Sequence, residues 1–210
     1  MRYPFIDNID FFLLEAIGKW RFLLSRHLIE ISSLSSRSTY RRLKQLEERK
    51  LLTHARVLYG TPALYSLTHK GRLKIGLNKR DSKFRIEQIE HDICCVDMAL
   101  YFMEKYHLSM SEITSEKELH SIRGFGSRQH VPDFTFQHDN KSYAIEVELS
   151  LKAKETLRKN VELNFMNYDS QIWLINKRNK ALKSRLDELT TMYPNIVISY
   201  LEDVTPNDRS

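Results

Sequence analysis

The chain is poor in cysteine. Cys94 and Cys95, side by side, are the only two in 210 residues. Adjacent cysteines rarely bridge, so no disulfide framework is expected. Their setting, "HDICCVDMAL", reads as a buried helix face with reduced thiols rather than metal ligands, in a cytoplasmic protein. No run of 18 apolar residues occurs, so no membrane span is expected. The first stretch, "MRYPFIDNIDFFLLEAIGKW", is broken by Asp7, Asp10 and Glu15, which a signal-peptide core would not carry. Internal repeats, low-complexity tracts and H-x-H metal clusters are also missing. What remains is 41% hydrophobic and 29% charged, enough to build a core as one large domain or two small ones.

Charge is unevenly shared. Residues 1–80 hold 16 Lys and Arg against 6 Asp and Glu, while residues 81–210 hold 17 against 21. A basic front and a slightly acidic back suggest two domains, of which the first is the better candidate for a polyanion. A basic soluble domain with no such partner has the same charge.

In the front half, "NIDFFLLEAIGKW" spaces Phe11, Leu14, Ile17 and Gly18 near a helical period, and "FLLSRHLIEIS" does the same with Leu24, Leu28 and Ile31. In "SLSSRSTYRRLKQLEERKLL", Ser35 or Ser36 can cap a third helix running to about Lys50. Its inward stripe is Tyr40, Leu43 and Leu46 or Glu47. Two strands, 52–58 and 63–68, follow around a turn at Gly60, Thr61 and Pro62. Three helices and a hairpin make a winged-helix layout, and "SRSTYRRLKQLEERKLL" resembles the recognition stretch of many winged-helix proteins. Such a third helix enters the major groove of double-stranded DNA, with Ser36, Arg37, Ser38, Thr39, Arg41, Arg42 and Lys44 reaching bases and phosphates. The competing reading is a small helical module that binds protein. The boundaries are 1–76 for this domain, 77–83 for a polar linker and 84–210 for a second domain.

The second domain opens with a long helix striped by Ile86, Ile89, Ile93, Val96, Leu100 and Met103, on which His91 reads as a satisfied helix histidine. Past the short, mixed "MSEITSEKEL", "PDFTFQ" and "SYAIEVEL" are strands with "HDNK" as their turn. "SLKAKETLRKNVELNFMNY" is a helix with Leu157, Val161, Phe165 and Tyr168 inward. Strand "QIWLIN", a basic amphipathic helix and strand "NIVISYLED" complete an αβββαβ order with one αβ unit added.

The acids of this region carry the chemistry. Asp133 follows Pro132. Glu146 and Glu148 alternate on an apolar strand and share one face, where like charges repel unless something positive or wet separates them. Solvent is one answer, with Ile145, Val147 and Leu149 as the inner face. A hard cation is the other: carboxylates on adjacent strands suit Mg²⁺ or Mn²⁺, which serve phosphodiester cleavage. Asp133, Glu146 and Glu148 are then the ligands, with Glu116 or Glu118 completing the set. Lys152, with Lys154 beside it, offers a cation to the phosphate, and His130 can position a phosphate or assist proton transfer.

This order and these acids resemble the restriction-endonuclease-like PD-(D/E)XK core, with Glu148 where that family usually has lysine. A winged helix, an "EHD" helix, "H-x-P-D" (His130, Pro132, Asp133) and "E-V-E-L-S-x-K" (Glu146 to Lys152) resemble the replication-relaxation family, which includes MobC-type plasmid relaxases. Val131 stands where that family usually shows arginine. The resemblance implies metal-dependent nicking of double-stranded DNA at a plasmid transfer origin, in support of conjugative mobilisation, with a coupling protein as partner. Two other readings stay open: an inert DNA-binding regulator whose nuclease-like domain forms homodimers, and a restriction-type or transposon-end cutter.

Overall fold

The computed structural model describes residues 7–56, 62–77, 85–123 and 129–204. Gly60 and Thr61 of the expected turn, and residues 78–83 of the expected linker, lie outside them. The chain is mixed α and β and divides into two compact units, Met1–Val96 and Asp97–Ser210. Among the described residues no helix is long and apolar enough to cross a membrane.

In the first unit, α1 (Asn8–Trp20) starts at Asp7, whose carboxylate accepts from the Asp10 N–H at 2.9 Å. β1 (Phe22–Leu24), α2 (Ser25–Ser32) and α3 (Ser36–Glu48) follow, then β2 (Leu52–Ala55), β3 (Leu64–Leu67) and α4 (His69–Lys74). The expected helix through "FLL" is instead strand β1, pairing antiparallel with β3 so that Phe22 faces Ser66 and Leu24 faces Leu64. β2 joins the other side of β3, giving the order β1-β3-β2. Of the expected strand 52–58, β2 covers 52–55 and residues 57–58 lie outside the described residues; β3 is shorter than 63–68. Phe22, Leu24, Leu64 and Ile89 form a buried cluster. α4 packs tightly on the chain after α3: a Cβ on Gly71 would stand 2.0 Å from the Leu51 carbonyl oxygen, so only glycine fits there.

Helix α5 (Ile86–Tyr106) carries the division between the units. Beyond it come β4 (Thr114–Ser115), α6 (Glu116–Arg123), β5 (Phe134–His138), β6 (Lys141–Glu148), α7 (Lys154–Asn167), β7 (Ser170–Ile175), α8 (Lys180–Thr190), β8 (Ile196–Tyr200) and α9 (Leu201–Val204). The sheet order is β4-β5-β6-β7-β8. β4, β5 and β6 run antiparallel in turn, and β7 and β8 add on in parallel. The final strand is shorter than expected, because the chain turns helical at Leu201.

The β5–β6 turn sets the register. Asp139 and Asn140 both adopt positive φ (49° and 57°), the backbone of a two-residue hairpin matched to strand twist. Ile145 then lies opposite Phe134. Both faces of the sheet are covered. Phe102 of α5 packs on Phe134 and Phe136 on one side. On the other, Trp173 is buried with Leu157 and Val161 of α7 and Leu182 and Leu186 of α8.

Candidate functional site

β6 lies in mid-sheet between an antiparallel and a parallel neighbour, so its backbone bonds are used on both edges. Alternation sends Ile145 and Val147 to one face, and Glu146 and Glu148 to the face covered by α7. The glutamates are only 1% and 4% exposed, whereas Leu149, expected in the inner set, is 40% exposed. The alternative of a wet strand face is therefore overturned. α7 closes that face by docking Leu157 and Val161 on Trp173.

Asp133 is clamped by its neighbours. Its N–H donates to the Ile145 carbonyl at 3.1 Å, its own carbonyl accepts from Glu116 N–H at 2.8 Å, and its Oδ2 accepts from Val147 N–H at 2.7 Å. The carboxylate thus points along the backbone between Glu146 and Glu148.

Glu146 Oε1 accepts from Asn164 Nδ2 at 2.7 Å and lies 2.5 Å from His130 Nε2. Burial pushes the Glu146 carboxyl above the usual carboxylate range. His130 and Asn164 work against that shift, and the charge of Asp133 adds to it. Lys152 sits one turn-length past Glu148 with its Nζ 2.6 Å from Oε2, a contact ion pair not aligned as a hydrogen bond. Burial acts to lower the Lys152 pKa. Glu148, Glu146 and Asp133 outweigh it and hold the ammonium above the ordinary lysine value. Lys152 thus shares one electrostatic field with all three acids. Lys154 is largely exposed and faces Glu188 at 3.8 Å.

Hence five expected residues come together: His130, Asp133, Glu146, Glu148 and Lys152. Glu116 and Glu118 stand on α6, directly after strand β4, which ends at Ser115. The Glu116 carboxylate is 3.6 Å from His120, and that of Glu118 accepts from Ser115 N–H at 2.8 Å, folding back to cap its own helix.

Three neighbours were not foreseen. Asn164 is buried on α7, whose inner face is Leu157, Asn160, Val161 and Asn164; Phe165, expected inward, is exposed. An asparagine three residues after Val161 on an apolar stripe was the available signal. Arg123 Nη1 donates to the His130 carbonyl at 3.1 Å. Tyr168 is half-buried, and burial raises its phenol pKa; nearby Arg123 opposes this and the charge of Glu146 adds to it. Nothing in the sequence pairs Arg123 with His130. Asp133, Glu146 and Glu148 offer hard carboxylate oxygens, the donor type that Mg²⁺ and Mn²⁺ take.

In the first unit, α3 turns Ser36, Arg37, Tyr40, Arg41 and Lys44 outward, with Ser38 partly covered. Its inward stripe is Thr39, Leu43 and Leu46. Tyr40 is 48% exposed rather than buried, because the helix is rotated by one residue from the expected phase. Two residues expected at DNA are engaged elsewhere. Thr39 is buried, its Oγ1 3.0 Å from Ser32 Oγ. Arg42 Nη1 donates to Asp7 at 2.7 Å and Asp10 at 2.9 Å. In the same unit Cys95 Sγ lies 3.7 Å from His91 Nδ1.

No protein-family model, curated protein or solved structure matches the chain.

Proposed function

We propose that this chain is a metal-dependent DNA strand nickase of the replication-relaxation type. A winged helix would select a plasmid transfer origin, and a PD-(D/E)XK-like site would cut one strand. The observation that carries this reading is the burial of Glu146 and Glu148 on one strand face beside Asp133, His130 and Lys152. Burying a carboxylate costs several kcal/mol before partners offset it, on the order of what a whole domain has to spare. Perturbed ionisable groups gathered in one place are a feature of functional sites. The strand order supports the same reading: an antiparallel run of three, then a helix and a parallel strand, with Asp133 just before the second strand and the glutamates on the third. In the first unit, a third helix beside a sheet of order β1-β3-β2, with Arg37, Arg41 and Lys44 outward, supports the winged-helix reading.

Asp133, Glu146 and Glu148 would hold Mg²⁺ or Mn²⁺. Such a cation, when bound, polarises a phosphate and neutralises the leaving oxygen. The rest is work for side chains. Glu146 fixes the His130 ring through Nε2, and a ring so held can hold or pass a proton at the attacked phosphate. Lys152 stays charged and faces the negative charge that develops on the phosphoryl oxygens. It reaches back across one loop to Glu148, and so supplies the cation that related sites carry on the strand itself. Asn164 donates to the same Glu146 oxygen that His130 meets. A protein with this task works in the cytoplasm, with a coupling protein and a second copy of itself as partners.

A second reading is an inert DNA-binding regulator. It is favoured by the pairing of Glu146 with His130 and of Glu148 with Lys152 inside the chain, since ion pairs of purely structural use look the same. A plasmid-relaxation assay separates the readings. Supercoiled DNA carrying the sequence next to the protein's own gene is mixed with protein in Mg²⁺, Mn²⁺ or EDTA. Metal-dependent open circles, lost in Asp133→Ala and Glu146→Ala, are expected. Linear product would mean a double-strand cutter. Retarded DNA of unchanged topology would mean the regulator.

A further inference from the structure

Lys152 lies in a loop, residues 149–153, that is neither helix nor strand and whose other four residues are exposed. Ala153, which opens α7, has no side chain able to cap the helix. A loop of this kind has little of its own to fix where a lysine points. One long-range bond reaches it: Arg185 Nη1, from α8, donates to the Lys152 carbonyl at 2.8 Å. Arg185 follows Leu182 by three residues and precedes Leu186, so it stands at the edge of the apolar face that seats α8 in the core. Its anchor is packed in the core, while most of the loop is exposed. An exposed arginine would prefer water or a carboxylate; this one is partly buried and spends a donor on a neutral carbonyl.

We infer that Arg185 is a positioning residue for Lys152. It ties the loop backbone to α8 so that the ammonium stands against Glu148 and beside Glu146 and Asp133. The inference rests on the nickase reading for its effect on rate, but its structural half does not. The bond from α8 also explains how a lysine beyond the end of the strand keeps a defined place. The tie fixes the backbone from which the side chain sets out, and so limits where the ammonium can reach.

The test uses the full chain and two readouts. Lysine acylation followed by mass spectrometry compares Lys152 with Lys154 in wild type, Arg185→Ala and Arg185→Lys. Nicking rates are measured for the same proteins and for Lys152→Ala with and without Arg185→Ala. In Arg185→Ala, Lys152 should label several-fold faster, as its loop comes loose, with Lys154 changed less. Nicking should fall about tenfold, as expected for a displaced charged group. Arg185→Lys, which keeps a donor, should recover part of both. Adding Arg185→Ala to Lys152→Ala should cost nothing further, because the two act as one unit. Unchanged labelling of Lys152, or an equal loss of rate with Lys152 already removed, would overturn the inference. If Arg185→Ala does not fold, Arg185→Gln is judged by the same criteria, since it lacks the reach. If the wild type does not nick at all, the nickase reading falls, and the labelling of Lys152 alone decides for or against Arg185.

Discussion

Each unit sets a cation against carboxylates, and the carboxyls of the two clusters are shifted in opposite senses. In the first, Arg42 of α3 bridges Asp7 and Asp10 at the start of α1. Asp7 is half-exposed, and its carboxyl is held below the usual range, chiefly by the Asp10 N–H it caps; slight burial opposes this and Arg42 adds to it. Ionisation there favours the fold. In the second, Glu146 is fully enclosed, and burial raises its carboxyl more than His130 and Asn164 lower it. Ionisation there works against the fold. A chain selected for stability alone does better with a packed apolar residue at such a place. The first cluster is a brace between two helices; the second is kept in spite of its cost, which is the physical argument for a site.

The comparison breaks most sharply at Asp133. In the nickase reading, Asp133→Ala should lower the nicking rate by about a thousandfold, or roughly 4 kcal/mol of barrier. DNA affinity in a gel-retardation assay should stay within about twofold. Loss of both together would mean that the second unit also holds the DNA, and the division of labour between the units would fail.

Arg42→Ala tests the brace. Asp10 is buried and would lose its cation, so about 2 kcal/mol of stability should go, read by urea denaturation at pH 7, with nicking at saturating DNA little changed. The pH dependence has a defined sign. The folded carboxyl of Asp7 binds its proton less readily than the unfolded one. Its contribution is therefore present above about pH 4 and fades as pH falls through the depressed folded value. Arg42→Ala should weaken this acid dependence without abolishing it, because the Asp10 N–H, its largest cause, remains.

On the open face of α3, Arg37→Ala and Arg41→Ala should each weaken DNA binding a few-fold and reduce the salt slope by about 1. Thr39→Ala should leave that slope alone and lower stability by about 1 kcal/mol, since its hydroxyl bonds Ser32 inside the unit. A change of slope at Thr39 would put that helix face wrong.

Much of this could be read from the residues. The α3 period separated exposed Arg37, Arg41 and Lys44 from buried Leu43 and Leu46, and missed by one residue at Tyr40 and Thr39 because a tyrosine suits either side. The strand period put Glu146 and Glu148 on one face. It could not say whether that face was wet, because the lid is α7 and its docking depends on Trp173, 25 residues beyond Glu148. The helical period of "FLLSRHLIEIS" hides β1, since three residues of "FLL" acquire strand geometry only from β3, some forty positions later. Arg123 and Arg185 were illegible for a plainer reason. Each bonds a backbone carbonyl, and a carbonyl leaves no mark in a sequence.

A small change in stability, of favourable sign, is the one that separates cost from use. Glu146→Gln keeps the shape and an oxygen for the Asn164 amide at 2.7 Å, and it removes the buried charge. His130 loses an ionic partner but keeps an acceptor, and a ring 21% exposed has some access to water. In EDTA at neutral pH the variant should gain stability, on the order of 1 kcal/mol, measured as a shift in the urea midpoint at constant slope. Nicking should be lost, since an amide is a poor ligand for a hard cation. A stabilised but inactive protein would show the charge to be held for chemistry. A destabilised one would show that the His130–Glu146 pair earns its place as a brace, as Arg42 does with Asp10, and would favour the regulator.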